Sequence, residues 1–300
     1  MDSEGLHTFL TIHRAGGFSL AAERLGRSQP AISRRIALLE AEVGAPLFER
    51  AAGGIVLSQA GRVLLPHAER VAAALKDSAD ALDALRDGDG GPVALAAVGT
   101  LAGAGLSAVL KRFARTCPKA KLTLRTATSI EVSELVRNGE ATVGLRYFED
   151  FSPDLRCEAL APEKLVVACA PSHRLAGRKV TSLRELRGER WLAFPDIPGR
   201  REFAAGNIFT QFLMRDVAEI DWMPVDSLTA QKRLIEAGFG ISLIPESSIA
   251  EERKAKSLAL ISVSDLKAVN PVMVMTRRGG YLSAASGKLL EMLGATNNLS

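Results

Sequence analysis

The stretch Phe18–Glu40, FSLAAERLGRSQPAISRRIALLE, decides how the rest of the chain is read. Ser19 offers an N-cap side chain, and Leu20–Leu25 reads as a short helix. Gly26 follows where a left-handed residue must end it. Ser28 caps a second helix, and Pro30 sits in its first turn, where a missing N–H costs little. Ile32, Ile36 and Leu39 recur at spacings of four and three, making one apolar face. Gln29, Ser33 and Arg34 fall off that face and point outward. Two short helices with a tight glycine turn, the second displaying Gln, Ser and Arg near its start, describe a DNA-reading helix-turn-helix. Arg suits guanine or a phosphate, Gln suits adenine, and Ser serves either. An ordinary helical hairpin with a solvated charged face fits the same periodicity, and the pattern alone does not separate the two.

Working outward, Leu6, Leu10 and His13 predict a first helix that ends at Gly16-Gly17 and packs across the hairpin. His13 has no metal-binding or catalytic partner in sight. Val43–Arg50 reads as a helix end, a turn and an apolar anchor; Ile55–Leu57 returns as the second strand of a wing. Ser58 caps a long helix reaching about Arg86. Along it Leu64, Ala68, Val71, Leu75, Ser78, Leu82 and Leu85 alternate spacings of four and three, a heptad seam interrupted once by Ser78. At ~1.5 Å per residue this is a rod of roughly 40 Å, suited to pairing two copies of the chain.

Asp87-Gly88-Asp89-Gly90-Gly91-Pro92 is the clearest linker. Beyond it strands and helices alternate: strands at 93–98, 121–125 and 142–146, with helices at 106–113 and 132–137 between them. This βαβαβ order implies a parallel sheet with a ligand site at the strands' C-terminal ends. Strands at 165–170 and 190–194 begin a second such unit, followed by strands at 221–225, 240–244 and 272–276 and helices at 228–237 and 283–293. Thr100 and Ser129 stand in turns between a strand end and a helix start, where free N–H groups favour anions. Arg146 ends the third strand and is expected to point into the same crevice, with Arg200 and Arg201 on a loop at the mouth of the second unit. A small carboxylate held by Thr100, Ser129, Arg146 and Arg200 fits this arrangement.

The run FS-AAERL-SQPA-SR-I-LE resembles the hallmark of the N-terminal winged helix-turn-helix of the LysR-type transcriptional regulators. The resemblance covers essentially the whole chain, and the stretch VDSLTAQKRLIEAGFGISLIPES (225–247) is similar to the family's second effector lobe. It implies a winged helix-turn-helix at 1–58, a dimerising linker helix at 59–87 and a hinge at 88–91. An α/β effector domain follows, of two Rossmann-like lobes resembling periplasmic binding proteins: lobe I at 92–163 plus 266–300, and lobe II at 164–265. The implied DNA-contacting set is Arg27, Ser28, Gln29, Pro30, Ser33, Arg34, Arg35, Arg50 and Ser58. The implied effector set is Thr100, Leu101, Thr128, Ser129, Arg146 and Arg200. Implied partners are a double-stranded DNA operator, a second copy through residues 59–86, a tetramer of two such dimers, a small-molecule effector in place of any cofactor, and RNA polymerase. Two positions depart from the family. The wing carries Ala51-Ala52-Gly53-Gly54 where relatives place further Arg or Lys, so fewer phosphates are neutralised and the salt dependence should be shallower. Thr142 stands where an acidic residue is usual.

Composition bounds the alternatives. Of the 300 residues, 47% are hydrophobic, ample for packed cores. The net charge of +4 is unevenly spread: residues 1–90 hold 10 Lys+Arg against 12 Asp+Glu, while residues 91–300 hold 28 against 22. The DNA-facing charge is therefore the local cluster Arg24, Arg27, Arg34 and Arg35 rather than the bulk. No charged-then-apolar leader and no apolar run near ~18 residues is present, which predicts a soluble, cytoplasmic protein with no membrane partner. Cys117, Cys157 and Cys169 form no CxxC pair and no metal-ligand cluster. Gly99-x-x-x-Gly103-x-Gly105 lacks the dinucleotide spacing, and no GxSxG, HExxH or P-loop occurs, so neither catalysis nor a metal is expected. A solute-binding protein built on the two lobes would leave residues 1–86 without a use.

Overall fold

The computed structural model describes residues 1–51, 54–87, 90–195 and 208–295. The chain begins with three helices, α1 (Ser3–Ala15), α2 (Phe18–Leu25) and α3 (Gln29–Val43). A two-stranded wing follows, β1 (Phe48–Ala51) and β2 (Gly54–Leu57), and then the 29-residue rod α4 (Gln59–Asp87). Asp2 caps α1 by accepting the Gly5 N–H at 2.7 Å. Gly26 ends α2 at φ +61°, a left-handed conformation that side chains resist, which makes the short turn into α3 possible. Two expected caps differ. Ser19 lies inside α2, because Phe18 is already helical and Gly17 takes the N-cap position. Ser28 does stand at the N-cap of α3, but its hydroxyl makes no capping bond and stays exposed.

Phe9, Leu10, Ile12, Ile32, Ile36, Leu39 and Leu47 form the winged-domain core. Each buried side chain of this size stabilises by roughly 1.5–3 kcal/mol. Phe48 fastens the wing to that core through ring contacts with Phe9 at 5.3 Å and Phe18 at 5.8 Å. At the start of α4, Gly61 is required by close approach: a Cβ there would lie 2.2 Å from the Leu47 carbonyl oxygen.

The predicted heptad seam divides in two. Ala68 is buried in the winged-domain core with Leu64 packed beside it, so these first two positions are used within the chain. Val71, Leu75, Leu82 and Leu85 are exposed by 42–82%, while Ala73 on the opposite face of α4 is fully buried. Pro66 lies inside the helix, where it can give no N–H to the carbonyl one turn back.

Beyond α4 come β3 (Gly91–Val98), α5 (Ala104–Thr116), β4 (Ala120–Ala127), α6 (Ser129–Arg137), β5 (Val143–Tyr147) and β6 (Leu155–Ala159). Next are β7 (Glu163–Cys169), β8 (Lys179–Val180), β9 (Trp191–Ala193), α7 (Ile208–Leu213), β10 (Trp222–Pro224) and α8 (Leu228–Glu236). The chain closes with β11 (Ser242–Pro245), α9 (Ala250–Lys254), β12 (Ala259–Val263), β13 (Val269–Asn270), β14 (Val272–Arg277) and α10 (Ala284–Gly294). Lobe I is a five-stranded sheet ordered β4-β3-β5-β14-β6. Its first three strands are parallel, as the βαβαβ pattern requires, and β14 returns antiparallel between β5 and β6. Leu95, Phe113, Leu145, Val274 and Leu289 fill one face; Val132, Leu135, Val136 and Met275 fill the other. Gly144 lets α6 lie flat on that second face, since a Cβ would come within 2.6 Å of Met275 Cγ and 2.9 Å of Val132 and Val136.

Lobe II keeps part of the expected second parallel unit and departs from it at β7. Both β11 and β12 run antiparallel to β7, in the order β11-β7-β12-β8. β9 does pair in parallel with β10 and bridges in parallel from Trp191 to Ile241, just before β11, so that part of the expected parallel arrangement is present. The Ser242 hydroxyl also donates to the Leu192 carbonyl at 2.7 Å. Of the expected hinge, Gly88 and Asp89 lie outside the described residues, as do Ala52 and Gly53.

Candidate functional site

The turn of α2 into α3 presents one continuous polar surface. Arg27, Ser28, Gln29, Pro30 and Arg34 are exposed and Ser33 is half-exposed, while Ile32, Ile36 and Leu39 behind them are buried. Gln29 Nε2 donates to Ser33 Oγ at 3.0 Å, one helical turn along, which holds the amide extended over the helix start. Arg50 on the wing is exposed beside this surface. Three members of the expected DNA-contacting set have partners elsewhere in the chain: Arg27 stays exposed but lies 3.8 Å from Glu4, and two others are more firmly engaged. Arg35 is half-buried and paired with Asp2 at 3.1 Å and with Glu4, tying α3 to the start of α1. Ser58 is 3% exposed: its hydroxyl donates to the Pro46 carbonyl at 2.5 Å and accepts the Gly61 N–H at 3.0 Å. It caps α4, as its position suggested, and is turned inward as a consequence.

The crevice at the C-terminal ends of β3 and β5 is arranged differently from expectation. Arg146 is 6% exposed and faces α6. Its guanidinium donates to Asp150 at 2.9 Å, to the Tyr147 carbonyl at 3.0 Å and to the Ser133 hydroxyl. The charge meant for an anion is thus already met by Asp150. Burial opposes ionisation of Asp150, but hydrogen bonds from Ser133 and Ser152 and the Arg146 charge outweigh it and hold the carboxyl at about 2. Thr128 donates its N–H and its hydroxyl to Glu131, both at 2.8 Å, in a capping box. Ser129 is buried and accepts the Tyr147 N–H at 3.3 Å. Leu101 is 2% exposed and belongs to the lobe I core. Arg200 and Arg201 lie outside the described residues.

What occupies the crevice floor is a chain of hydrogen bonds the sequence did not announce. Thr100 meets the Tyr147 hydroxyl at 2.7 Å, and that hydroxyl donates to Glu163 at 2.5 Å. Ser247, on the turn after β11, donates to the other Glu163 oxygen at 2.8 Å. Thr100 and Tyr147 belong to lobe I and Ser247 to lobe II, so the floor spans both. Burial raises the Glu163 carboxyl, and the two hydroxyl donors partly offset this. Burial first, and then the neighbouring Glu163 charge, keep the Tyr147 phenol protonated. The signal for Tyr147 was present in the strand's two-residue alternation: placing Arg146 toward α6 puts Tyr147 on the opposite face. Glu163 and Ser247 carried no local signal.

A helix-turn-helix with a wing, a long linker helix and two α/β lobes define the class of a DNA-binding regulator. A family model described as bacterial regulatory helix-turn-helix protein, lysR family, matches residues 3–62. A second, the LysR substrate binding domain, matches residues 86–297. The chain belongs to the LysR family of DNA-binding transcriptional regulators, which are not enzymes. Among its relatives, the HTH-type transcriptional regulator CbbR of Rhodospirillum rubrum is 29% identical over 292 residues, covering 97% of this chain and 95% of that one. TcbR of Pseudomonas sp. (strain P51), another HTH-type transcriptional regulator, is 31% identical over 250 residues, covering 83% and 84%. The solved structure of full-length CbnR, a LysR family regulator, complexed with its target DNA aligns with 98% of this chain and 99% of its own at a TM-score of 0.66 and 27% identity. Among the described residues no helix is long and apolar enough to cross a membrane.

Proposed function

We propose that two copies of this chain pair along α4, so that two α3 helices read half-sites about one DNA turn apart. A small effector bound between the lobes would bias how the pair is held. The observation that carries this is the exposed stripe Val71, Leu75, Leu82 and Leu85, four large apolar side chains on one solvent-facing side of a rod. Gln29, Ser33 and Arg34 read base edges in this scheme, with Arg27, Ser28, Pro30 and Arg50 setting the register on the backbone. Two such dimers form the tetramer the family implies, and contact with RNA polymerase accompanies activation.

The effector we propose is a small carboxylate at the mouth formed by Thr100, Thr128 and Ser129, where the start of α6 gives a favourable dipole. Arg146 supports the site from behind rather than touching the ligand. Thermal melts of the full-length protein against carboxylates, amines and neutral analogues test this. A ligand at ~100 times its dissociation constant should add ~2.7 kcal/mol of stability. A carboxylate response weakened by Thr100→Val supports the site. A response confined to amines, or one indifferent to Thr100→Val and Ser129→Ala, would overturn it.

A further inference from the structure

Outside the DNA-reading face and the cleft, a charged contact surface lies where the end of α1, α4 and the turn after α6 meet. The end of α1 brings Arg14 against lobe I, its guanidinium 2.8 Å from one Glu140 oxygen, while Arg125 holds the other at 3.2 Å. Glu69 of α4 is half-buried in the same place. Burial raises its carboxyl, against the pull of Arg14, Arg137 and an Asn138 hydrogen bond. The turn between α6 and β5 is pressed onto the rod: at Gly139, which has φ +71°, a Cβ would lie 3.2 Å from Ala73 Cβ. The winged domain thus meets an effector lobe of the same chain through the Arg14–Glu140 pair, next to a near-backbone approach of that lobe to the linker helix α4.

That surface is connected to the cleft. Arg137, at the end of α6, donates to Asp154 at 2.9 Å and lies 4.0 Å from Asp150. Asp150 accepts from Arg146 at 2.9 Å, and Arg146 is bonded to the carbonyl of Tyr147, whose hydroxyl belongs to the cleft floor. From Arg137 onward each step joins groups in contact, Arg137 stands three residues before Glu140 in the chain, and β5 itself runs from the docked turn to the cleft.

We propose that this cluster is a reversible dock: Arg14 and Glu140 hold the winged domain on lobe I of its own chain, and the Asp150–Arg137 link brings displacement at the cleft end of β5 to it. Magnitude favours reversibility. Arg14 and Glu140 are 36% and 38% exposed, so the pair is a weak one. A weak contact between two domains sets a population rather than a fixed geometry, as a switch needs. The dock does not depend on which effector fills the cleft; only the link from Asp150 rests on the cleft reading above.

The test uses the full-length protein with Cys117, Cys157 and Cys169 replaced by Ser. Spin labels are placed at the exposed positions Leu38 on α3 and Leu124 on β4, and labelled chains are diluted into unlabelled ones so that intrachain distances dominate. Double electron–electron resonance at low salt should give one main distance for the unaltered dock. R14E and E140R should each transfer population to longer or broader distances, by at least the roughly two- to fivefold that an exposed ion pair supports. R14E/E140R should restore the original distribution. Salt at about 1 M, where the screening length falls to ~3 Å, should reproduce the single variants without any substitution. D150N should shift the population in the same direction by less. A distribution unmoved by R14E and by salt, or a double variant no better than the singles, would overturn the dock. D150N matching the unaltered protein would overturn the link to the cleft while leaving the dock standing.

Discussion

At the start of α3, Ser28, Arg34 and the wing's Arg50 stand in solvent, whereas at the end of β5 Arg146, Tyr147, Ser129 and Thr128 are bonded to the protein itself. The first region keeps its donors for a partner that is always the same chemistry, a phosphate-lined groove. The second has its polar groups satisfied within the chain. A preformed surface of the first kind binds with little rearrangement. On the effector reading proposed above, a self-satisfied floor of the second kind exchanges bonds when occupied, which would couple occupancy to the position of β5 and of Ser247.

The largest expected effect tests whether the outward-facing region is effective only in pairs. Leu75→Glu with Leu82→Glu should convert dimers to monomers in sedimentation velocity and reduce affinity for a selected operator by about 10²–10⁴-fold, the factor that linked sites gain from effective concentration. Next, arginine truncation should have opposite consequences in the two regions. Arg146→Ala leaves Asp150 largely buried without its cation and should cost roughly 2–3 kcal/mol of stability by denaturant titration. Arg34→Ala should change stability by no more than about 0.5 kcal/mol, yet cost about 1–3 kcal/mol of base discrimination. Equal stability losses would remove the distinction between the regions.

The pH dependence sharpens the same contrast. Asp150 is held at about 2 in the folded chain, below the ~3.9 of a free Asp. Its contribution is therefore fully present above about pH 4 and fades as pH falls through ~2. Asp150→Asn should flatten the acid limb of the stability curve in that window, read by thermal melts between pH 2 and 5. The smallest effect concerns the wing. Each added phosphate contact steepens the slope of log affinity against log salt by ~0.9, so Ala51→Arg should steepen it by about one contact's worth.

The winged domain was legible because its constraints are local. Gly26 must be left-handed where the helix breaks, and Ile32, Ile36 and Leu39 mark the buried side within two turns. The linker helix was legible in period but not in use: nothing in the spacing says that Leu64 and Ala68 serve the chain's own core while Val71 onward face outward. The cleft was misjudged by a single residue of strand alternation, which exchanges Arg146 and Tyr147 between faces. Its floor joins Tyr147 to Glu163 and Ser247, and no periodicity connects positions so far apart. Lobe II's antiparallel β11 and β12 escaped for a related reason, since apolar runs identify strands without stating their direction.

Gly144 carries a consequence for anyone retuning this protein as a biosensor. With Met275, Val132 and Val136 all within 2.9 Å of where a side chain would begin, position 144 is closed to mutagenesis libraries, although it stands only two residues from Arg146 and three from Tyr147. On the effector reading proposed above, diversity aimed at new inducers belongs instead at Thr100 and Ser247, whose hydroxyls join the Tyr147–Glu163 chain from the two lobes.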